Sequence, residues 1–339
     1  MRRARRSLFS GSRVLAAAAV AALLGAAPLQ SADAQTQKLR MLMPEPHGHT
    51  FRMFYIGAEK GWFREEGIEL EYLPIPGGAI NLVPQLAQGT GDIAFAGGYT
   101  VIQARARGVD VVGINSASTE SLWALIAHKN SNIRRAQDLK GKTVGVVSFS
   151  SATHFMALGL LRAGGLTDKD VALKPVGMGG PAAISQGQLD AYVWFKTQAV
   201  ALQTRGAPVE MIDLDPLIPL PQDLTLVMRE VATKRASQMR AFTKVFWRAV
   251  LYDHDPANHA ENDQYQAKYA PETVADKAYL KAIRAFEKAR HDRDVAKGWK
   301  LGSTQPERLT AAQNFLVELK VIEKATPVEL MYDNSYLPK

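Results

Sequence analysis

The residues best suited to chemistry lie in short loops between apolar runs and helical patterns. The loop richest in hydroxyls is Ser148-Phe149-Ser150-Ser151-Ala152-Thr153-His154. Ser148, Ser150, Ser151 and Thr153 at one helix start can cap that helix or hold an anionic head group, with His154 either beside them or packed inward. A second loop, Pro44 to Phe51, carries His47, His49, Thr50 and Phe51. His47 and His49 have metal-ligand chemistry but no third ligand at a recognisable spacing, so three readings stand: a metal, exposed loop histidines, and hydrogen bonding to a solute. Gly77-Gly78 and Gly97-Gly98-Tyr99-Thr100 supply the remaining two loops. Gly78 and Gly98 allow close approach of backbone to a ligand and Tyr99 offers a ring to cover it; tight turns with a surface Tyr are the alternative. Facing these would be Met178-Gly179-Gly180 and Tyr192-Val193-Trp194-Phe195-Lys196, where Trp194 lines a cleft or fills a strand interior and Lys196 adds positive charge.

Motifs of catalysis are missing. There is no Gly-x-Ser-x-Gly elbow, no His-Glu-x-x-His and no Gly-x-x-x-x-Gly-Lys-Ser/Thr. Asp213, Asp215, Asp253, His254 and Asp255 flank Pro216 and Pro256 in turn-like settings. A periplasmic metal-dependent enzyme stays as the rival reading, and the expectation is a protein without enzymatic activity or cofactor.

The elements that position these loops follow from periodicity. Lys38 to Met43 reads as a strand, Ala58 to Gly67 as the end of an amphipathic helix stopped by Gly67, and Ile68, Leu70 and Tyr72 alternate with charges as a second strand. A helix over 79–88, a strand over 92–96, a helix over 101–107 and strands over 109–116 and 122–128 follow. A second series repeats the order: strand 143–147, helix 153–163, strand 171–176, helix 182–188, strand 191–194. Each candidate loop thereby leaves the carboxyl end of a strand and enters a helix. Ligands of open α/β sheets sit there, against free N–H groups and the partial positive charge of the helix start. Two α/β lobes with mainly parallel sheets are expected, with Leu224 to Val227 returning to the first lobe and helices beyond. Phe242, Val245, Phe246, Ala249 and Val250 share one helical face as core, whereas charge-rich Glu287 to Lys300 reads as a solvated face.

Composition bounds the setting. Arg2, Arg3, Arg5 and Arg6, an apolar core over 14–24 and Ala32-Asp33-Ala34 read as a cleaved signal peptide over 1–34, its apolar stretch of about 11 to 14 residues being too short to span a bilayer. Sec and twin-arginine export both remain open. The formal charge of +8 includes five Arg and one Asp of that leader, so the remaining 305 residues carry +4. That balance mildly favours anionic ligands and gives no basic tract for nucleic acid. With no cysteine the chain has no disulfide, thiol nucleophile or thiolate metal site.

Gly57-Ala58-Glu59-Lys60-Gly61-Trp62-Phe63, Glu66-Gly67-Ile68, Leu86-Ala87-Gln88-Gly89 with Asp92-Ile93-Ala94, Asp138-Leu139-Lys140-Gly141-Lys142-Thr143-Val144-Gly145 and Gln188-Leu189-Asp190-Ala191 occur in this order. Together they resemble the periplasmic substrate-binding proteins of ABC importers in the nitrate, sulfonate and taurine group, also called NMT1/THI5-like, over roughly residues 38 to 230. The resemblance implies a type II-like periplasmic binding protein: lobe I from 35–125 and 225–339, lobe II from 126–224, two crossover segments and C-terminal helices. It also implies a monomer that delivers a small organic anion to an ABC permease in the inner membrane, or a solute-sensing subunit docked on a receptor. Related pyrimidine synthases carry a cysteine-rich motif that this chain lacks. Where the family often shows Trp, an acidic residue and Pro, this chain has Trp194 followed by Phe195-Lys196-Thr197, which leaves the ligand class open.

Overall fold

The computed structural model of the chain describes residues 36–43, 48–76, 79–221 and 223–338. The leader expected over 1–34, His47 and Gly78 lie outside them. Strand β1 (Gln37–Met43) pairs in parallel with β2 (Ile68–Pro74), Gln37 opposite Ile68 and Met43 opposite Pro74. Between them run helices α1 (Arg52–Glu59) and α2 (Trp62–Glu65). The one helix expected up to Gly67 is therefore two, because Gly61 turns the backbone left-handed at φ 75°. Then come α3 (Leu82–Ala87), β3 (Ile93–Gly97), α4 (Tyr99–Ala106) and β4 (Val111–Ser116). The next series is β5 (Trp123–His128), β6 (Thr143–Val146), α5 (Ala152–Ala163), β7 (Ala172–Pro175), α6 (Gly180–Ser185), β8 (Ala191–Phe195), α7 (Lys196–Thr204) and β9 (Val209–Asp213). Helix α7 and strand β9 had no counterpart in the sequence reading.

Strand β10 (Asp223–Met228) closes the first sheet, whose order is β2-β1-β3-β10-β4; the second runs β7-β6-β8-β5-β9. Each sheet contains one antiparallel strand, β10 between β3 and β4 and β5 between β8 and β9. These two strands follow the segments 117–122 and 214–222, the two crossovers expected between the sheets. The architecture is the α/β, two-crossover arrangement with C-terminal helices that the sequence predicts.

The remaining helices are α8 (Arg229–Lys234), α9 (Ala236–Asp253), α10 (His259–Ala267), α11 (Pro271–Ala275), α12 (Lys277–Ala296) and α13 (Pro306–Glu318). The expected face of α9 is buried: Phe242 stacks on Phe54 and Phe63 at 5.8 Å each, and Phe246 meets Phe54 at 5.5 Å. Each such side chain contributes roughly 1.5–3 kcal/mol relative to exposure. Helix α13 packs over α5, where Phe315 fills the space that Gly159 leaves by lacking a Cβ.

The stretch Glu287 to Lys300 corrects the sequence reading. Glu287, Arg290, His291 and Asp294 are all buried, along with Arg284 one turn earlier. Their three- and four-residue spacing puts them on one face of α12, and that face is turned onto residues following β1 and β4. Ionic side chains are tolerated there because they pair. Among the described residues no helix is long and apolar enough to cross a membrane.

Candidate functional site

Strand β1 ends at Met43, and Gly48 leads a single 3-10 turn, His49–Phe51, into α1. The ring of Phe51 is core, packed on Phe54 and edge-on to Phe95 at 6.3 Å each. Thr50 is half-buried. His49 is only 5 % exposed, with Nε2 3.3 Å from Glu287 Oε2 and its ring edge-on to Tyr279 at 5.9 Å.

Arg52, the first residue of α1, ties this corner together. Its Nη2 is 2.6 Å from Glu287 Oε2 and its Nε donates to Asp253 Oδ2 at 2.6 Å. Asp253, the last residue of α9, also accepts from Asn262 Nδ2 at 2.8 Å and pairs with Arg284 at 3.3 Å. Burial pushes the Glu287 carboxyl up, but Arg52 beside it and the His49 contact outweigh that and hold it far below the usual carboxylate range. Burial lowers the His49 imidazole, Arg52 lowers it further, and Glu287 opposes them. His49 is therefore neutral at neutral pH and faces a carboxylate.

At the end of β3, Gly98 leads into α4, so Tyr99 and Thr100 open a helix that leaves a parallel strand. A Cβ on Gly97 would sit 2.7 Å from Tyr99 Cε1, so glycine there is what admits the phenol ring. Burial, then Asp223, raises the Tyr99 hydroxyl to about 12. Thr100 is buried. The Tyr99 ring meets Phe155 of α5 edge-on at 5.8 Å, which joins the helix leaving β3 of the first sheet to the helix leaving β6 of the second.

In the loop before α5 the hydroxyls largely satisfy one another. Val147 N–H donates to Thr153 Oγ1 at 2.8 Å, Ser151 Oγ donates to Ser148 O at 2.7 Å and lies 2.6 Å from Thr153 Oγ1. Ser148 and Ser150 hydroxyls are 3.1 Å apart, and His154 Nδ1 donates to Phe149 O at 2.8 Å. Hydrogen bonds within the loop thus account for Ser151 and Thr153, neither of which caps a helix N–H, while Ser150 is exposed and Ser148 half-buried. Phe149 is 55 % exposed at the tip of this loop.

At the end of β8, Trp194 stacks on Tyr192 at 5.5 Å and is half-buried. Lys196 opens α7 but is only 2 % exposed, with Nζ 2.7 Å from Asp213 Oδ1 and 3.9 Å from Glu120 Oε2. Its charge is engaged where the two crossovers begin and end. Glu120 also receives Arg293 of α12, at 3.1 and 3.3 Å.

His49, Tyr99 and Thr100, Ser148 to His154 and Lys196 thus all lie at carboxyl ends of parallel strands. The residues not anticipated are Arg52, Glu120, Glu287, Arg290, His291 and Asp294. The signal for most of them was present in the spacing of 284, 287, 291 and 294 along α12. Among the described residues, no group of three or more His, Asp or Glu is arranged to hold a metal ion.

Comparison with known proteins agrees with this fold. The riboflavin-binding protein RibY of Chloroflexus aurantiacus is 22% identical over 319 residues, 92% of this chain and 90% of the relative. The 4-amino-5-hydroxymethyl-2-methylpyrimidine phosphate synthase of Legionella pneumophila is 22% identical over 290 residues, 84% of this chain and 87% of the relative. Among solved structures, the periplasmic aliphatic sulphonate binding protein SsuA of Escherichia coli superposes with a TM-score of 0.70 at 18% identity, over 88% of this chain and 99% of that one. The fold is therefore that of periplasmic binding proteins. Residues 48–258 match the family model described as NMT1/THI5 like, and the chain belongs to that family.

Proposed function

We propose that this protein is a periplasmic solute-binding protein that captures a small organic anion between two lobes and hands it to an ABC permease in the inner membrane. In this reading residues 1–34 are a cleaved leader, 35–125 with 225–339 form one lobe, 126–224 form the other, and the protein acts as a monomer. The observation that carries it is the contact of Tyr99 with Phe155. It brings together the starts of α4 and α5, each of which leaves the carboxyl end of a parallel strand. Two helix starts, their backbone N–H groups and the Ser148 and Ser150 hydroxyls form a setting for a carboxylate or sulfonate. A ligand touching both lobes favours their closure.

Small-angle X-ray scattering of the ligand-stripped mature protein tests this. Compaction on adding one class of organic anion is expected; an unchanged radius of gyration with every anion that binds would refute capture between lobes.

A second reading, an enzyme, is favoured by the match to the Legionella pneumophila synthase. The absence of cysteine from all 339 residues weighs against the cysteine-rich synthase chemistry. Turnover by the purified protein, lost in His49→Ala, would establish it instead.

A further inference from the structure

We infer that His49 Nδ1 is a buried hydrogen-bond acceptor for the solute, so that the ligand carries an N–H or O–H donor in addition to its anionic group. This inference rests on the solute-binding reading and specifies the ligand class for that site.

The partners of the His49 ring fix the place of its proton. Glu287 Oε2 lies 3.3 Å from Nε2 and 2.6 Å from Arg52 Nη2. A carboxylate paired with an arginine accepts hydrogen bonds and donates none. Nε2 must therefore hold the proton that bridges to Glu287. The groups facing the ring are Arg52 of α1, Asp253 of α9, and Glu287 and Tyr279 of α12. Burial and the Arg52 charge disfavour a second proton, and the two carboxylates do not reverse the balance. The ring is held as one neutral tautomer, with a lone pair on Nδ1.

That lone pair makes no hydrogen bond among the described residues, although His49 is 5 % exposed. Buried polar atoms are normally satisfied, and an orphaned one in a native fold requires an explanation. His49 follows β1, which lies between β2 and the central strand β3, whose own exit carries Tyr99. Ligands of open α/β sheets occupy that edge. A missing partner on the solute accounts for the orphan, and the Arg52-Glu287 pair accounts for the fixed tautomer. An anionic oxygen would meet the Nδ1 lone pair unfavourably, whereas a hydroxyl, amide or imide proton would satisfy it.

The test uses matched solutes on the full mature protein: 4-hydroxybenzoate against 4-methoxybenzoate, orotate against 1,3-dimethylorotate, and isethionate against 2-methoxyethanesulfonate. Titration calorimetry is expected to show at least tenfold tighter binding of the donor-bearing member of the pair that binds. In His49→Phe, or in His49→Leu if the former does not fold, that preference collapses to within twofold. Nitrogen-15 NMR of the labelled histidines at neutral pH should show His49 with a protonated Nε2 and an unprotonated Nδ1. Equal affinity within every binding pair, or a protonated Nδ1, overturns this inference and leaves solute capture standing. Failure of every solute to bind overturns the solute-binding reading and this inference with it.

Discussion

Lys196 Nζ sits 2.7 Å from Asp213 Oδ1, which pins the first residue of α7 to the last residue of β9, just before the second crossover. Glu120, in the first crossover, lies 3.9 Å from the same ammonium. A cation that the sequence offered for ligand binding is held instead by the two segments that connect the sheets. Lys196→Met should lower the stability of the ligand-free protein, because it leaves Asp213 and Glu120 without their shared cation. Asp213 is partly exposed, so the loss should lie between the ~1 kcal/mol of a surface pair and the ~3–5 kcal/mol of a fully buried one. Urea denaturation reads it directly. An unchanged midpoint together with a large loss of solute affinity would return Lys196 to the binding site.

Arg52 compensates two buried carboxylates, Asp253 and Glu287, and its removal leaves both without their main partner. Arg52→Leu should cost about 3–5 kcal/mol by urea denaturation, the usual penalty for breaking a buried pair. The double variant Arg52→Leu with Glu287→Gln should recover part of that loss. A single-variant cost below ~1 kcal/mol would show that the cluster is wetter than its burial implies.

His291 gives a pH dependence of defined sign. Its Nε2 donates to Ala117 O at 2.8 Å and its Nδ1 lies 3.0 Å from His254 Nε2, and burial lowers both imidazoles, so both rings are neutral at pH 7 in the fold. Burial, then Arg290, lowers His291 to about 4, against 6.5 in an unfolded chain. Between these values the unfolded chain binds a proton that the folded one refuses, so stability falls as pH drops from 6.5 towards 4, by roughly 3 kcal/mol in all. Asp253 and Glu287, both held below the usual range, act at lower pH: their contribution is complete above the ordinary carboxylate pKa and is lost as acid protonates them in the fold. Chemical denaturation from pH 7 to 2 in wild type and His291→Gln separates the two, since the variant should flatten part of the upper window, to which the lowered His49 and His254 also contribute, and leave the lower one unchanged.

The loop before α5 separates internal hydrogen bonding from solute binding. Thr153→Val removes the acceptor for Val147 N–H and should cost about 1–3 kcal/mol, the penalty of leaving a buried donor unsatisfied. Ser150 is exposed, and Ser150→Ala should leave stability within about 0.5 kcal/mol while weakening binding of the anion. Unaltered affinity in Ser150→Ala would confine this loop to a structural role.

Much of the fold was legible because its strands carry strong patterns. Ile93–Gly97 is apolar throughout, and Gln37–Met43 precedes a helix and a glycine stop. Strand β9 was not legible: VEMID at the sheet edge is half-buried and mixes charge with apolar residues, so no period stands out. The places of the loops at strand ends were legible for the same reason as the strands. The partners of His49 were not, because His49 meets Glu287 across 238 positions, and a charged helix face that pairs inward has the same spacing as one that faces water. The ion pair of Lys196 is hidden on similar grounds, since its neighbour Asp213 belongs to the strand that the pattern hid.

The most direct test of solute capture is thermal unfolding of the refolded, ligand-stripped mature protein against alkanesulfonates, aromatic carboxylates, orotate, nitrate, pyrimidines and divalent metals. One class of organic anion should raise the transition, since a ligand at ~100 times its dissociation constant adds about 2.7 kcal/mol. A transition moved by no solute, or moved only by a metal, would contradict the account.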